Sequence, residues 1–243
     1  MAAAGFDEVC VDQQHGLADH ATIGGIFRAI ELYGVAPTTR VPANSTAEIG
    51  KALDLGALAV VIPMVGSAEE AAHAAAACHY PPRGVRSAGA LRGQLARASR
   101  RLEALDAVAC VVMIETADGI RNADAIAATP GVDVIYIGPA DLAISLGLSA
   151  SAADWSANDA RLHDEAIDRV LVACRRHGVT PGIHCGDGAT GGRYVDRGFR
   201  MVTIASDLGL LGSGSRAQLE LARAGRAPIA ADAPPAPVEL APS

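Results

Sequence analysis

Two apolar stretches decide the fold of this chain: Val111-Val112-Met113-Ile114-Glu115-Thr116 and Val134-Ile135-Tyr136-Ile137-Gly138-Pro139-Ala140-Asp141. Each is a short β-branched run of the kind that forms a strand buried on both faces. Small or polar residues and a helix-like segment follow each run. Carboxylates at the carboxyl ends of neighbouring parallel strands point into one mouth, where their oxygens can hold a hard divalent cation. The pattern therefore indicates a metal-assisted enzyme on an α/β scaffold.

Strand-like and helix-like segments alternate along the rest of the chain. The predicted strands are Asp7–Asp12, Thr38–Pro42, Ala57–Val65, Ala109–Glu115, Val132–Gly138, Thr180–Cys185 and Arg200–Ser206. The predicted helices are Thr22–Tyr33, Ala47–Leu55, Ala68–His79, Ala123–Ala128, Ala160–His177, Ala189–Arg197 and Leu208–Arg223. This alternation predicts a parallel sheet that is either a closed barrel or a long open sheet.

The strand count is one short of a (β/α)8 barrel. The chain opens on Met1-Ala2-Ala3-Ala4-Gly5-Phe6, which reads as the tail of a helix and its glycine stop. We therefore expect a barrel domain over residues 1–223 that lacks its first strand and most of its first helix, through start-site choice or natural truncation. Residues 224–243 are dominated by Ala and Pro, which predicts a disordered tail.

Composition excludes several classes of protein. A net charge of −7 without a basic cluster argues against nucleic acid as the main partner. No apolar run reaches the roughly 18 residues that a membrane span needs, and no export signal is visible. The five cysteines are odd in number and form no C-x-x-C pair, so we expect reduced thiols in a cytoplasmic protein.

Lys51 is the only lysine in the chain. It lies in a helix-like segment whose apolar face is formed by Ile49, Ala52 and Leu53, so we expect it to be solvated. An enzyme that works through a Schiff base needs a desolvated lysine near its substrate. The sequence offers no good candidate for that chemistry.

Two strand ends carry candidate catalytic side chains. His15 lies in Asp12-Gln13-Gln14-His15-Gly16, where it can act as a general base whose tautomer Asp12 fixes, or can be an ordinary loop residue. Arg40 ends the next strand, where its planar fork of donors can hold a carboxylate or enolate oxygen. A surface arginine paired with an acid is the alternative.

Gly138, Pro139, Ala140 and Asp141 begin a helix whose backbone N–H groups could approach a substrate carboxylate, although a bare turn is the simpler interpretation. His184 and Cys185 end a strand without the second pair that a soft metal site needs, so they are interpreted as packing residues. The remaining histidines are predicted to be surface residues: His20, His73, His79, His163 and His177.

Six motifs in this order resemble the HpcH/HpaI aldolase family, the metal-dependent 2-oxo-acid aldolases that include 4-hydroxy-2-oxoheptanedioate and 2-dehydro-3-deoxyglucarate aldolases. The motifs are Asp12–Gly16, Arg40-Val41-Pro42, Ile62-Pro63-Met64-Val65, Tyr80-Pro81-Pro82, Ile114-Glu115-Thr116 and Ile137-Gly138-Pro139-Ala140-Asp141-Leu142. The resemblance runs from about Gly5 to Leu211, which is most of the chain.

The resemblance implies a (β/α)8 barrel of the phosphoenolpyruvate/pyruvate-binding type, commonly in a homohexamer, that binds Mg²⁺ or Mn²⁺ and possibly Co²⁺. It makes Glu115 and Asp141 the metal ligands and Arg40 the group that binds the pyruvate-derived oxygens. The backbone at Gly138–Asp141 would surround the carboxylate. His15, supported by Asp12, would be the acid/base.

The chain departs from the family pattern in three places. Gln14 stands where the family often has Glu, and Met113 stands where Gln is common, which removes one polar contact near the metal. The third departure is the absence of the first strand of the barrel.

The predicted reaction is reversible cleavage of a 4-hydroxy-2-oxo acid to pyruvate and an aldehyde through a metal-stabilised enolate, in aromatic or sugar-acid catabolism. The predicted partners are these small molecules, with neither nucleic acid nor membrane. Three alternatives stay open. They are a CoA-ester lyase of the citramalyl or malyl type, an oxaloacetate decarboxylase using the same site, and a non-catalytic barrel subunit.

Overall fold

The computed structural model describes residues 1–224, so residues 225–243 of the predicted tail lie outside the described residues. Contacts divide the chain into two compact units, Met1–Ala205 and a second unit that begins at Ser206. All the strands belong to the first unit. The prediction of a single barrel domain over 1–223 stays a prediction.

One parallel sheet contains all the strands, paired in sequence order from β1 to β7. Each predicted strand is present. Their bounds are β1 Glu8–Asp12, β2 Ala36–Arg40, β3 Ala59–Ile62, β4 Ala109–Ile114, β5 Val134–Ile137, β6 Thr180–His184 and β7 Met201–Thr203. Within residues 1–224, β1 and β7 each have one neighbouring strand.

Helices connect the strands. They are α1 His20–Glu31, α2 Thr46–Asp54, α3 Ala68–Cys78, α4 Leu91–Ala96, α5 Leu102–Leu105, α6 Ala117–Arg121, α7 Ala123–Ala127, α8 Pro139–Ser145, α9 Ala157–His177, α10 Gly188–Arg197 and α11 Asp207–Arg223. Two 3₁₀ turns lie at Ala2–Ala4 and Ala152–Asp154. The unpredicted helices α4, α5 and α6 have four to six residues, too few to show an amphipathic repeat.

The two faces of the sheet bury different side chains because successive strand residues point to opposite sides. One face packs against the helices and holds the larger apolar cluster, which includes Phe27, Ile114 and Ile135. The other is a concave face with a smaller cluster: Ala59, Val61, Val111, Met113 and Tyr136.

The sheet is curled, because residues of distant strands meet across its concave face. The Tyr136 hydroxyl on β5 donates a 2.7 Å hydrogen bond to Thr203 Oγ1 on β7, although β6 lies between them. Tyr136 is also close enough to Glu8 and Cys10 on β1 to sense their charge. The fold is therefore α/β with a curled, all-parallel sheet, consistent with a (β/α) barrel that lacks one strand.

The amino-terminal turn has the predicted form. Ala2–Ala4 form a 3₁₀ turn, and Gly5 ends it in the left-handed region at φ 93°. Such a backbone suits glycine because residues with a side chain rarely adopt a positive φ. The first residues thus resemble a helix end with its glycine stop.

Two histidines predicted at the surface are buried instead: His79 is 3% exposed and His163 is 7% exposed. His163 lies on the same stripe of α9 as Ala166, Ile167 and Val170, at the spacing that faces one side of a helix. The imidazole of His163 therefore occupies a core position, and the spacing of the apolar residues on α9 indicates that position. Lys51 is exposed on α2, as predicted.

The second unit contains α11. Its amino end is capped by Ser206, whose hydroxyl accepts a hydrogen bond from the Gly209 N–H. Among residues 1–224, no helix combines the length and apolar character needed to cross a bilayer.

We expect Ile135→Ala to lower the free energy of unfolding by about 2–5 kcal/mol, because the side chain is fully buried and its loss leaves a cavity. Urea denaturation measures this. Ile144→Ala on α8 is the matched control, since Ile144 is 56% exposed and its truncation should change the unfolding free energy by less than about 0.5 kcal/mol. Equal losses for the two variants would contradict the assigned burial.

Candidate active site

The predicted site residues gather at the carboxyl edge of the sheet. Asp12 and Arg40 are the last residues of β1 and β2, and their Cα positions pair directly in the strand register. Glu115 directly follows β4, and Asp141 lies in the first turn of α8, just after β5. In a parallel sheet this edge is where the following loops form a ligand site.

Asp12 and Arg40 form a bidentate ion pair. Arg40 Nε donates to Asp12 Oδ1 at 2.8 Å, and Nη2 donates to Oδ2 at 2.5 Å. Burial alone would raise the pKa of Asp12, but the hydrogen bonds and charge of Arg40 outweigh it and lower that pKa below its ordinary value. The pair fixes the guanidinium of Arg40. Its third nitrogen, Nη1, is not bound to Asp12 and lies 4.0 Å from Met113 Sδ.

Asp12 also shapes the loop that carries His15. Its Oδ1 accepts hydrogen bonds from the backbone N–H groups of Gln14 at 3.0 Å and His15 at 3.4 Å. A Cβ on Gly16 would lie 2.1 Å from the Asp12 carbonyl oxygen, so only glycine lets the chain turn here. Asp12 therefore supports His15 through its backbone amide, and the imidazole itself is exposed.

Glu115 is a buried carboxylate, 1% exposed. Its Oε1 accepts a 2.8 Å hydrogen bond from the Met64 N–H, and among the described residues Oε2 has no hydrogen-bond donor. Burial raises the pKa of Glu115; the Met64 hydrogen bond opposes this, the charge of Asp141 adds to it, and Arg40 and His15 lower it. The charges of the other predicted site residues therefore act on this carboxyl group.

Met64 supplies a contact that the sequence did not reveal. It is a non-glycine residue in the left-handed region, at φ 60°, in the loop after β3. The next residue, Val65, donates its N–H to the Met113 carbonyl oxygen at 3.0 Å, which ties the loop to β4. The Met64 N–H is thereby aimed at Glu115, at the cost of an unusual backbone conformation.

Gly138 makes room for the Glu115 carboxylate. A Cβ on Gly138 would lie 2.7 Å from Glu115 Oε2 and 2.5 Å from Met113 Cε. The Gly138 N–H is donated to the Ile114 carbonyl oxygen at 3.2 Å, and Pro139 has no N–H. The backbone N–H groups of Gly138–Asp141 are predicted to approach a substrate carboxylate. Among these residues, only Ala140 and Asp141 have N–H groups available for it.

Asp141 is exposed in the first turn of α8, and its charge acts on Glu115. Glu115 and Asp141 thus lie at the same edge of the sheet, and Glu115 Oε2 has no hydrogen-bond donor among the described residues. Such a donor set suits a hard divalent cation, whose charge offsets the repulsion between the acids. Within residues 1–224 no cluster of three or more His, Cys, Asp or Glu side chains is arranged for a metal.

A polar network covers the concave face on the side of β5, β6 and β7. Tyr136 Oη is joined to His184 Nδ1 at 3.2 Å and donates to Thr203 Oγ1 at 2.7 Å. His184 is exposed, so the prediction that it is a packing residue is wrong. As the last residue of β6 it points inward to the concave face, whereas its neighbour Cys185 is buried among the outer apolar residues.

His163 contacts the first turn of α8 from outside the sheet. Its Nε2 lies 2.9 Å from the Pro139 carbonyl oxygen, and its ring packs at 4.7 Å against Trp155. The carbonyl is two residues before Asp141. The buried imidazole therefore helps to hold the turn that presents this carboxylate.

The sequence profile described as HpcH/HpaI aldolase/citrate lyase matches residues 1–213. The chain belongs to this family. Members of the family depend on a divalent metal, in agreement with the carboxylate pair described above. The relatives are aldolases, and the chain is accordingly a carbon–carbon lyase.

Three relatives illustrate the similarity. The hydroxypyruvate/pyruvate aldolase of Rhizorhabdus wittichii is 36% identical and aligns with 92% of this chain and 88% of its own length. The 4-hydroxy-2-oxo-heptane-1,7-dioate aldolase of Salmonella dublin is 35% identical over 89% of this chain and 82% of its own. A solved HpcH/HpaI aldolase/citrate lyase family protein from Burkholderia cenocepacia has a TM-score of 0.81 at 33% identity, covering 91% and 88% of the two chains.

We expect Arg40→Gln to raise the pKa of Asp12 toward its ordinary value of 3.8. Because the pKa of the folded state is lowered, the ion pair stabilises the fold above that ordinary value and the benefit disappears as pH falls through the lowered pKa. The loss at neutral pH should be about 1 kcal/mol, since the Asp12 side chain is 34% exposed and water screens the pair.

A carbon-13 NMR titration of the Asp12 carboxyl group measures this shift. Arg92→Gln is the matched control, because Arg92 forms a comparable pair with Glu31 outside the site. An unchanged Asp12 titration in Arg40→Gln would contradict the pairing.

Proposed function

We propose that the chain is a metal-dependent aldolase that reversibly cleaves a 4-hydroxy-2-oxo acid to pyruvate and an aldehyde. The observation that carries the proposal is the buried Glu115 carboxylate, with one unpaired oxygen, beside Asp141 and Arg40. The relatives named as aldolases of pyruvate, hydroxypyruvate and a 4-hydroxy-2-oxo acid support the same reaction class.

Glu115 and Asp141 would hold the divalent cation, Mg²⁺ or Mn²⁺ by preference and Co²⁺ as a further option. When bound, such a cation supplies Lewis-acid stabilisation of negative charge on the substrate oxygens. The Met64 N–H and the missing side chain at Gly138 keep the Glu115 carboxylate in one orientation. Asp141 is placed by the first turn of α8, which His163 contacts.

Arg40 would bind the C2 oxygen of the 2-oxo acid. As the C3–C4 bond breaks, its electron pair moves into the C2 carbonyl, and the developing enolate oxygen gains negative charge. A guanidinium already fixed by Asp12 meets that charge without first having to reorganise. The N–H groups of Ala140 and Asp141 are the remaining donors for the substrate carboxylate.

His15 would move the protons. It removes the proton from the C4 hydroxyl as the aldehyde forms, and a proton delivered to C3 then converts the enolate to pyruvate. Asp12 serves this step by fixing the backbone at Gln14 and His15. Gly16 permits the tight turn that keeps the imidazole at the mouth of the sheet.

The wider setting belongs to the same proposal. The curled sheet would be a barrel of the phosphoenolpyruvate/pyruvate-binding type, in a homo-oligomeric cytoplasmic enzyme. Its partners would be a small 2-oxo acid and an aldehyde. Cleavage of malyl-CoA in preference to free hydroxy-oxo acids would favour the CoA-ester lyase instead.

We expect Glu115→Gln to lower pyruvate release from 4-hydroxy-2-oxoheptanedioate by at least about 100-fold, because the amide has no charge with which to hold the cation. Pyruvate is followed with a coupled lactate dehydrogenase assay. EDTA should abolish the wild-type rate, and added Mn²⁺ should restore it.

Glu103→Gln is the control, because Glu103 is an exposed glutamate whose side chain is 78% accessible. Full activity in EDTA, or trapping of the enzyme by borohydride with substrate, would refute the metal-enolate reaction. No metal binding and no pyruvate from either protein would favour a non-catalytic subunit.

We expect Gly138→Ala to weaken Mn²⁺ binding by about 10–100-fold, because the added methyl group displaces the Glu115 carboxylate. Calorimetric titration with Mn²⁺ measures the change. Gly25→Ala, in α1, is the control, since a Cβ there meets nothing within 4 Å. Equal Mn²⁺ affinity in all three proteins would show that Glu115 does not depend on this glycine.

A further inference from the structure

The network of Tyr136, His184 and Thr203 is a group of polar side chains at the site that the proposed reaction does not use. All three lie on the concave face, on β5, β6 and β7. On β3 and β4 that face is apolar, formed by Ala59, Val61, Val111 and Met113. Polar groups among such neighbours need partners, because unmade hydrogen bonds are costly there.

The strands are arranged so that the network reaches the mouth of the site. Tyr136 pairs in register with Gly182, where a Cβ would lie 2.9 Å from Tyr136 Cδ2. Glycine at this position lets the phenol ring cross β6 and reach Thr203 on β7. His184 is the register partner of Thr203, so one hydroxyl meets both residues.

His184 ends β6 as Asp12 ends β1 and Arg40 ends β2, which places all three at the same edge. The charges of Arg40 and Asp12 both act on the imidazole. Partial loss of hydration of the ring, reinforced by the positive charge of Arg40, lowers the pKa of His184 below its ordinary value, although the charge of Asp12 opposes this.

The hydrogen bonds leave one ring nitrogen of His184 without a partner. The hydroxyl groups of Tyr136 and Thr203 can each donate or accept, so Nδ1 is engaged with Tyr136 Oη in either tautomer. Among residues 1–224, the bond to Tyr136 is the one hydrogen bond that the imidazole makes, so Nε2 is available to a ligand.

We propose that Nε2 of His184, held by Tyr136 and Thr203, forms a hydrogen bond with a hydroxyl group on C3 of the 2-oxo-acid donor. This inference rests on the proposed aldolase function, since it assumes a 2-oxo acid bound through Arg40 and the carboxylates. The carboxylate and the C2 oxygen of such a donor are then occupied, and C3 carries its one variable substituent. A methyl group there cannot satisfy the imidazole, whereas a hydroxymethyl group can. The enzyme therefore prefers a 3-hydroxy-2-oxo acid over pyruvate as its donor.

The test compares 3-hydroxypyruvate with pyruvate in wild type, His184→Leu and Tyr136→Phe, each loaded with Mn²⁺. Dissociation constants come from calorimetry, and enolate formation is followed as exchange of the C3 hydrogens for deuterium by NMR. Neither measurement needs the unidentified aldehyde. His177→Leu and Tyr194→Phe are matched controls, because these residues lie on α9 and α10, outside the network.

We expect wild type and both controls to bind and exchange 3-hydroxypyruvate about 10–100-fold better than pyruvate, because the methyl group of pyruvate leaves Nε2 of His184 without a hydrogen-bond partner. In His184→Leu and Tyr136→Phe the ratio should fall to within about threefold of one, with pyruvate itself little changed. Tyr136→Phe keeps the aromatic ring that crosses Gly182 and removes only the hydroxyl group. It therefore tests the proposal even if His184→Leu does not fold.

Several outcomes would overturn the inference. They are a wild-type enzyme without preference, a ratio that survives both substitutions, and an equal loss for both donors, which would make the network a general support of the site. In each of these outcomes, exchange of the C3 hydrogens of pyruvate by the wild-type enzyme would still support the proposed aldolase function. Failure of wild type to bind or exchange either donor would refute the proposed function and this inference together.

Discussion

The site depends on the placement of one buried carboxylate, Glu115, at the end of β4. A carboxylate with so little contact with water is unfavourable unless charge or hydrogen bonds compensate it. Here a single backbone N–H, from Met64, contacts one oxygen, and a glycine at 138 leaves the other oxygen open. The pKa of Glu115 is raised because burial outweighs this hydrogen bond and the nearby positive charges. A bound cation would complete the compensation of the Glu115 charge, and the absence of a side chain at Gly138 leaves room for the cation beside Oε2.

The concave face changes in chemistry along the sheet. On β3 and β4 its side chains are Ala59, Val61, Val111 and Met113, which form an apolar floor that Met201 on β7 extends. At the carboxyl ends of β6 and β7 it presents the imidazole of His184 and the hydroxyl group of Thr203. Such an arrangement suits a small substrate that is polar at one end, because each part of the face desolvates groups that match its own polarity.

Much of this could be predicted from the sequence, because strands that are buried on both faces leave a strong apolar signal. Glu115, Asp141, Asp12 and Arg40 follow such strands directly, and the parallel order brings them to one edge. The contact from Met64 could not be predicted, since it depends on an unusual loop conformation rather than on residue type. The prediction that His184 packs in the core is wrong, because its contacts depend on which residues of β5, β6 and β7 lie side by side. Long-range strand pairing sets that register. The alternation of side chains along β6 does indicate that His184 and Cys185 point to opposite faces.

One edge of β1 has no neighbouring strand among residues 1–224. The backbone groups of such an edge can pair with an extended chain that approaches it. The side chains of Glu8 and Asp12 point to the concave side of β1, so a strand that pairs there would have to bring its own residues beside these acids. Basic or hydrogen-bonding residues would suit those positions better than acidic or apolar ones.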